Sequence, residues 1–224
     1  MAQNEFDPHR QHCVLLRQPV KRKAGVRQKD LLAGGQRTID ITMTSAMSLK
    51  IKICGLTSLT DAMAAVEAGA DALGFMFYQN SPRFVAPTTA ARIIRVLPPF
   101  VARVGVFVNA SEQIVRGVCD VCGLDTVQFH GEETPEFCRR FAPLKVIKAF
   151  RIKDGGSLRH LDAYDTDAWL LDAFVPGRQG GTGATFNWSL AREAKDAGYP
   201  IILAGGLSAE NVAQAVHEVW PFGV

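Results

Sequence analysis

A chain of 224 residues, 47% hydrophobic and 21% charged, is long enough for one α/β barrel or doubly wound domain and contains no apolar run of the ~18 residues that a membrane helix needs. Its formal charge of +3 is unevenly placed: residues 1–47 carry eight Lys and Arg against four Asp and Glu, which leaves 17 against 18 for the remainder. A faintly acidic body argues against a nucleic-acid binder, and five scattered cysteines with no secretory apolar segment argue against a disulfide framework and for a reducing cytoplasm.

Residues 1–47 lack hydrophobic periodicity, and their one strand-like stretch is Thr38-Ile-Asp-Ile-Thr42. They read as a disordered basic extension, with Val20-Lys-Arg-Lys23 too brief to specify a target and Met43 or Met47 as alternative starts of translation. Residues 48–224 read as one domain in which short β-rich runs alternate with amphipathic helical stretches. Strands are expected to begin at Ile51, Ala72, Arg103, Thr126, Lys145, Ala168 and Ile201, with helices after nearly all of them. Thr57-Ser-Leu-Thr60 supplies a cap for a helix over Asp61 to Glu67, which Gly69 ends. Cys119-Asp-Val-Cys122 has the spacing of a zinc or redox pair, but no second pair follows and the stretch is amphipathic, so both are read as small, half-buried helix residues.

Strict alternation implies parallel strands joined by right-handed crossovers. Seven such strands are one short of a (β/α)8 TIM barrel. The eighth should follow a helix over Ala209 to Trp220, where the sequence reads Pro-Phe-Gly-Val224. The expectation is therefore a barrel lacking most of its eighth strand and its final helix, with the edges of the first and seventh strands unpaired and stability lowered by several kcal/mol. Such a chain is expected to be unstable or weakly active.

In a barrel of this kind the reactive groups come from the carboxyl ends of the strands. Cys54 ends the first strand ahead of Gly55-Leu-Thr57, and a thiolate there is a competent base, although free cysteine is more often a small core residue. Asp172 follows the apolar run Ala168 to Leu171; desolvation favours the protonated form of a carboxyl, which suits a general acid as well as the position suits a loop-bracing aspartate. Gly180-Gly-Thr-Gly183 and Ala204-Gly-Gly206 follow the sixth and seventh strands, the stations where glycine backbone often cradles phosphate. Arg83, in Ser81-Pro-Arg-Phe84, is placed to grip a carboxylate in two-point fashion or to lie solvated. Gln128 and His130 share one face of the fourth strand and either line the mouth or serve the core. Residue chemistry alone reaches a phosphosugar acid–base isomerase.

Lys52-Ile-Cys-Gly-Leu-Thr57, Gly74-Phe-Met-Phe77, Ser81-Pro-Arg83, Val104-Gly-Val-Phe-Val108, Val127-Gln-Phe-His-Gly131, Leu171-Asp172 and Gly180-Gly-Thr-Gly183, in that order and spacing, closely resemble phosphoribosylanthranilate isomerase over Leu49 to Val224. The resemblance implies a metal-free, cofactor-free barrel that works in the cytoplasm on tryptophan biosynthesis, as a monomer or homodimer, with no nucleic-acid or membrane partner. It makes Asp172 the acid that opens the ribose ring and Cys54 the base that takes the C2 proton. Arg83 would hold the anthranilate carboxylate, with Gln128 and His130 as further substrate contacts. Gly181, Gly183, Gly205 and Gly206 would cradle the phosphate. The family's Asp-Val-Ser-Ser-Gly-Val-Glu type segment after the last Gly-Val is absent from this sequence. Competing readings are another ribose-phosphate isomerase or synthase barrel, for which a cysteine ending the first strand is not expected, and a non-catalytic barrel fragment.

Overall fold

The computed structural model describes residues 48–173 and 187–224. The expectations for residues 1–47 and for Gly180 to Gly183 fall outside the described residues. Seven parallel strands run in chain order around one sheet: β1 (Lys52–Cys54), β2 (Ala72–Met76), β3 (Ala102–Phe107), β4 (Thr126–Phe129), β5 (Lys145–Ile152), β6 (Ala168–Ala173) and β7 (Ile201–Leu203). Each sequence-expected strand is present, its start displaced by at most one residue.

The helices lie in the crossovers: α1 (Leu59–Glu67), α2 (Pro87–Ile94), α3 (Glu112–Cys122), α4 (Pro135–Arg139), α5 (Trp188–Lys195) and α6 (Val212–Val219). Local chemistry sets their ends. The Ser58 hydroxyl accepts the Asp61 N–H at 3.1 Å and starts α1, and Ser111 caps α3 in the same way. Gly123 then ends α3 in the left-handed conformation, with φ of 64°. After β5 the chain forms only two short 3-10 turns, Gly155–Leu158 and Leu161–Ala163. Gly155 and Gly156 disfavour a helix there, while the Asp154 carboxylate accepts the Ser157 N–H and tightens the turn. α6 begins three residues later than expected, because the Asn211 side chain accepts the Ser208 N–H and donates to the Gly206 carbonyl, holding residues 206–211 as a turn.

The period-two alternation divides the core. Val104, Ile147, Ala149, Ala168, Leu170 and Ile202 fill the inside of the curled sheet. The opposite face carries Phe75, Phe107 and Phe129, packed with Phe141 from the turn after α4 and lying under α1 to α4, and Trp169, Leu171, Ile201 and Leu203 under α5 and α6. Phe129 and Phe141 pack at a tilt with centroids 4.9 Å apart, and burying each ring fully contributes about 1.5–3 kcal/mol. Cys119 and Cys122 lie on α3 as expected but are buried rather than half-buried, and burial pushes the Cys119 thiol up to about 11.

One expectation is corrected. The edges of β1 and β7 do not stand unpaired, because Phe222–Val224 enters the gap between them. Lys50 N–H donates to Phe222 O at 3.0 Å and Lys52 N–H to Val224 O at 2.8 Å, while on the other side Phe222 N–H donates to Ile201 O at 2.8 Å and Leu203 N–H to Gly223 O at 2.9 Å. Two features permit this. Trp220 takes φ of 51°, which stops α6 and turns the chain back toward the sheet. Gly223 has no side chain where a Cβ would lie 2.9 Å from the Lys50 carbonyl oxygen. The last three residues thus supply a short eighth station that joins both edges.

Candidate active site

The carboxyl ends of the strands surround a cavity of about 280 Å3. Its apolar floor is set by Leu170 and Ile202, and its polar wall by Lys52, Cys54, Arg83, Gln128, His130 and Asp172. Five sequence-predicted residues from β1, β4, β6 and the loop after β2 therefore meet in one place.

Cys54 is the last residue of β1 and is half-buried. It faces Gly74 across the β1–β2 ladder, and a Cβ on Gly74 would lie 2.8 Å from the Cys54 sulfur. The glycine therefore makes room for the thiol. The other described cysteines differ: Cys138 is fully buried, and desolvation pushes its thiol up to about 11. Arg83 lies over the same strand end, its Nη1 donating to the Cys54 carbonyl at 3.3 Å while its stem covers Gly55. Gly55 adopts φ of 88°, and a side chain there would meet Arg83 Cδ at 2.6 Å.

Asp172 sits in β6 with 6% of its surface exposed. Its Oδ1 accepts the Ala173 N–H at 2.8 Å, and its Oδ2 lies 3.1 Å from His130 Nε2. His130 Nδ1 in turn lies 2.9 Å from Gln128 Nε2. Of the two alternatives for Gln128 and His130, both side chains line the cavity, and the Gln128 amide nitrogen and both ring nitrogens of His130 are engaged with each other and with Asp172. Gly205 closes the other side, with φ of 77°: a Cβ would lie 2.3 Å from Ala173 N and 2.6 Å from Asp172 Oδ1. Glycine is thus required at position 205 to let the loop after β7 pass over the carboxyl, whatever else its backbone does. Gly205 and Gly206 both line the cavity, whereas Gly181 and Gly183 lie outside the described residues.

One wall residue escaped the sequence reading. Lys52 lies two positions before Cys54 on the same face of β1, and its Nζ would be 3.0 Å from a Cβ on Gly74, beside the thiol. The period of two was the available signal. Among the described residues no group of three or more His, Cys, Asp or Glu is arranged to hold a metal ion. The described residues also include no helix long and apolar enough to cross a membrane.

A carboxyl held by hydrogen bonds, a thiol and two cations around one cavity can exchange protons with an anionic ligand. Comparison with known proteins gives the family. The family model described as N-(5'phosphoribosyl)anthranilate (PRA) isomerase matches residues 51–224. The N-(5'-phosphoribosyl)anthranilate isomerase of Geotalea daltonii is 60% identical over 175 residues, covering 78% of this chain and 84% of that protein. The crystal structure of phosphoribosyl anthranilate isomerase from Thermotoga maritima superposes with a TM-score of 0.74 at 43% identity, covering 79% of this chain and 86% of that one. A crystal structure of phosphoribosyl anthranilate isomerase in complex with reduced 1-(O-carboxyphenylamino)-1-deoxyribulose 5-phosphate superposes with a TM-score of 0.71 at 41% identity over 79% of this chain and 85% of that one.

Proposed function

This chain belongs to the phosphoribosylanthranilate isomerase family, and from that premise we propose that Asp172 is the general acid and Cys54 the general base of its reaction. The reaction converts N-(5-phosphoribosyl)anthranilate to 1-(2-carboxyphenylamino)-1-deoxyribulose 5-phosphate, a step of tryptophan biosynthesis. The observation that carries the assignment is the convergence of both side chains on one cavity at the carboxyl ends of β1 and β6.

The Asp172 carboxyl gives its proton to the ribose ring oxygen. The C1–O bond breaks as the anthranilate nitrogen lone pair forms a C=N bond, leaving a protonated Schiff base. Its positive nitrogen acidifies the neighbouring C2–H, which the Cys54 thiolate removes. The C–H electrons form the C1=C2 bond of an enolamine and neutralise the nitrogen. Loss of the enol O–H proton and gain of one at C1 give the ketone. Atoms and electrons balance without an oxidant, a reductant or water.

The anions are held by the remaining groups. Arg83, anchored over the Cys54 carbonyl, offers its guanidinium to the anthranilate carboxylate. Gly205 and Gly206 line the cavity with φ of 77° and 64°, and without side chains their backbone is open to the phosphate, which we place there ahead of α6. Gly181 and Gly183, outside the described residues, are assigned to the same phosphate on their glycine-rich motif alone. The setting is cytoplasmic, in keeping with four described cysteines that are all free thiols.

Turnover of freshly made phosphoribosylanthranilate, followed by its fluorescence decay, tests the assignment. Asp172→Asn and Cys54→Ser should each lose at least about 100-fold in kcat. Unchanged rates in both would overturn it.

A further inference from the structure

We propose that Gln128 and His130 are positioning residues for Asp172: the Gln128 amide selects the His130 tautomer that carries its proton on Nε2, and that N–H fixes the carboxyl in the orientation from which it serves the cavity. This rests on the reading of Asp172 as the acid and deepens it.

The argument follows from which atoms can donate. An amide nitrogen donates and never accepts, so Gln128 Nε2 at 2.9 Å from His130 Nδ1 requires an Nδ1 that carries no proton. A neutral imidazole of that form has its proton on Nε2, and Nε2 lies 3.1 Å from Asp172 Oδ2. The donors therefore point one way, from Gln128 to His130 to Asp172. Water competes little for these bonds, with the side chains of His130 and Asp172 only 11% and 8% exposed and Gln128 1% exposed overall.

The second observation is a polar atom left over. Gln128 Oε1 is buried and has no hydrogen-bond partner among the described residues. Buried polar side chains retained only for packing satisfy both ends or are replaced by apolar ones of similar volume. Among the described residues the amide is thus engaged only through its nitrogen, on the imidazole. Asp172 keeps the capacity its role demands. The Ala173 and His130 N–H groups occupy two of about four lone-pair directions of the carboxyl, leaving others for the transferable proton.

The test uses the full chain with 15N-labelled imidazoles, the His130 signals being identified by their loss in His130→Gln. Expected in the parent protein is the 15N pattern of a neutral ring protonated at Nε2. Gln128→Met, which keeps the volume and removes the donor, should weaken that preference and lower kcat by up to about 100-fold while KM stays within about twofold. His130→Gln, whose amide nitrogen reaches the place of Nε2, should retain more kcat than His130→Ala. A ring protonated at Nδ1 in the parent protein would overturn the proposal. So would a Gln128→Met variant in which KM rises with kcat intact, the mark of a direct substrate contact, or one that is kinetically unchanged. Should Gln128→Met fail to fold, the spectrum of the parent protein still decides. Failure of the acid assignment is separate, because it shows as full activity in Asp172→Asn whatever the tautomer.

Discussion

Two polar clusters sit at the carboxyl ends of β4 to β6, on opposite sides of the strands. Outside, beneath the crossovers, the Lys148 ammonium donates to Glu133 Oε2 at 3.0 Å, Gly131 O at 2.7 Å and Phe129 O at 3.4 Å, while Glu133 accepts the N–H groups of Asn109 at 2.8 Å and Gly131 at 2.9 Å. Inside, Gln128, His130 and Asp172 form a chain that ends at the cavity. The outer cluster is closed: three ammonium hydrogens meet three acceptors, at side-chain exposures of 3% and 2%. The inner one is open, with an amide oxygen that has no partner among the described residues and a carboxyl that accepts from only the Ala173 and His130 N–H groups there. A saturated network resists change and fixes the loop after β4, whereas an unsaturated one retains groups that can act on something else.

That contrast predicts opposite responses to substitution, and the largest effect lies inside. Asp172→Asn should reduce kcat by about 10²–10⁴ with the melting temperature moving by only a few degrees. Outside, Lys148→Met leaves the Glu133 carboxylate buried and uncompensated, and should cost about 3–5 kcal/mol of unfolding free energy in a denaturant titration while the folded fraction keeps its kcat within a few-fold. Adding Glu133→Gln should recover part of that loss, because the two sites share one network. A Lys148→Met protein that is stable but inactive would erase the distinction between the clusters.

The thiols repeat the contrast at smaller scale. Burial holds Cys119 and Cys138 up to about 11, so at pH 8 both stay protonated and enclosed, while the half-buried Cys54 opens onto the cavity. Iodoacetamide at pH 8, with peptide mapping by mass spectrometry, should label Cys54 first among these three and abolish turnover at about one equivalent, with Cys119 and Cys138 reacting only on unfolding. Early labelling of Cys138 would show that the outer layer opens as readily as the cavity.

What the sequence disclosed follows the same line. The seven strands were legible because each is a short apolar run with its own turn signals, and Cys54, Arg83, Gln128, His130 and Asp172 were legible as residues at or just beyond strand ends. Their hydrogen bonds were not. His130 and Asp172 are 42 positions apart, and Lys148 and Glu133 are 15 apart on different elements, so the pairings exist only after the sheet has curled. The junction at Phe222–Val224 was hidden for a related reason. Four residues after a helix carry no periodicity, and only the left-handed Trp220 and the close approach at Gly223 turn them into a strand partner.

The smallest predicted effect lies at the other end of the barrel. Asp167, just before β6, accepts Lys145 Nζ at 2.7 Å and the Val146 N–H at 2.9 Å. Partial burial alone would raise its pKa, but those two donors and the ammonium charge outweigh it and hold the carboxyl below its ordinary 3.8. A carboxylate depressed in the folded state stabilises the fold above its unfolded pKa and loses that contribution as pH falls through the folded value. With both side chains more than a third exposed, the pair contributes about 0.5 kcal/mol. Asp167→Asn should therefore lower unfolding free energy by about that amount at pH 7, with the gap to the parent protein closing as the pH drops below 3.8. Turnover at pH 7 should not change, because Lys145 and Asp167 mark the amino-terminal ends of β5 and β6, opposite the cavity. A gap that widens in acid, or a changed kcat, would mean that the two ends of the barrel are coupled.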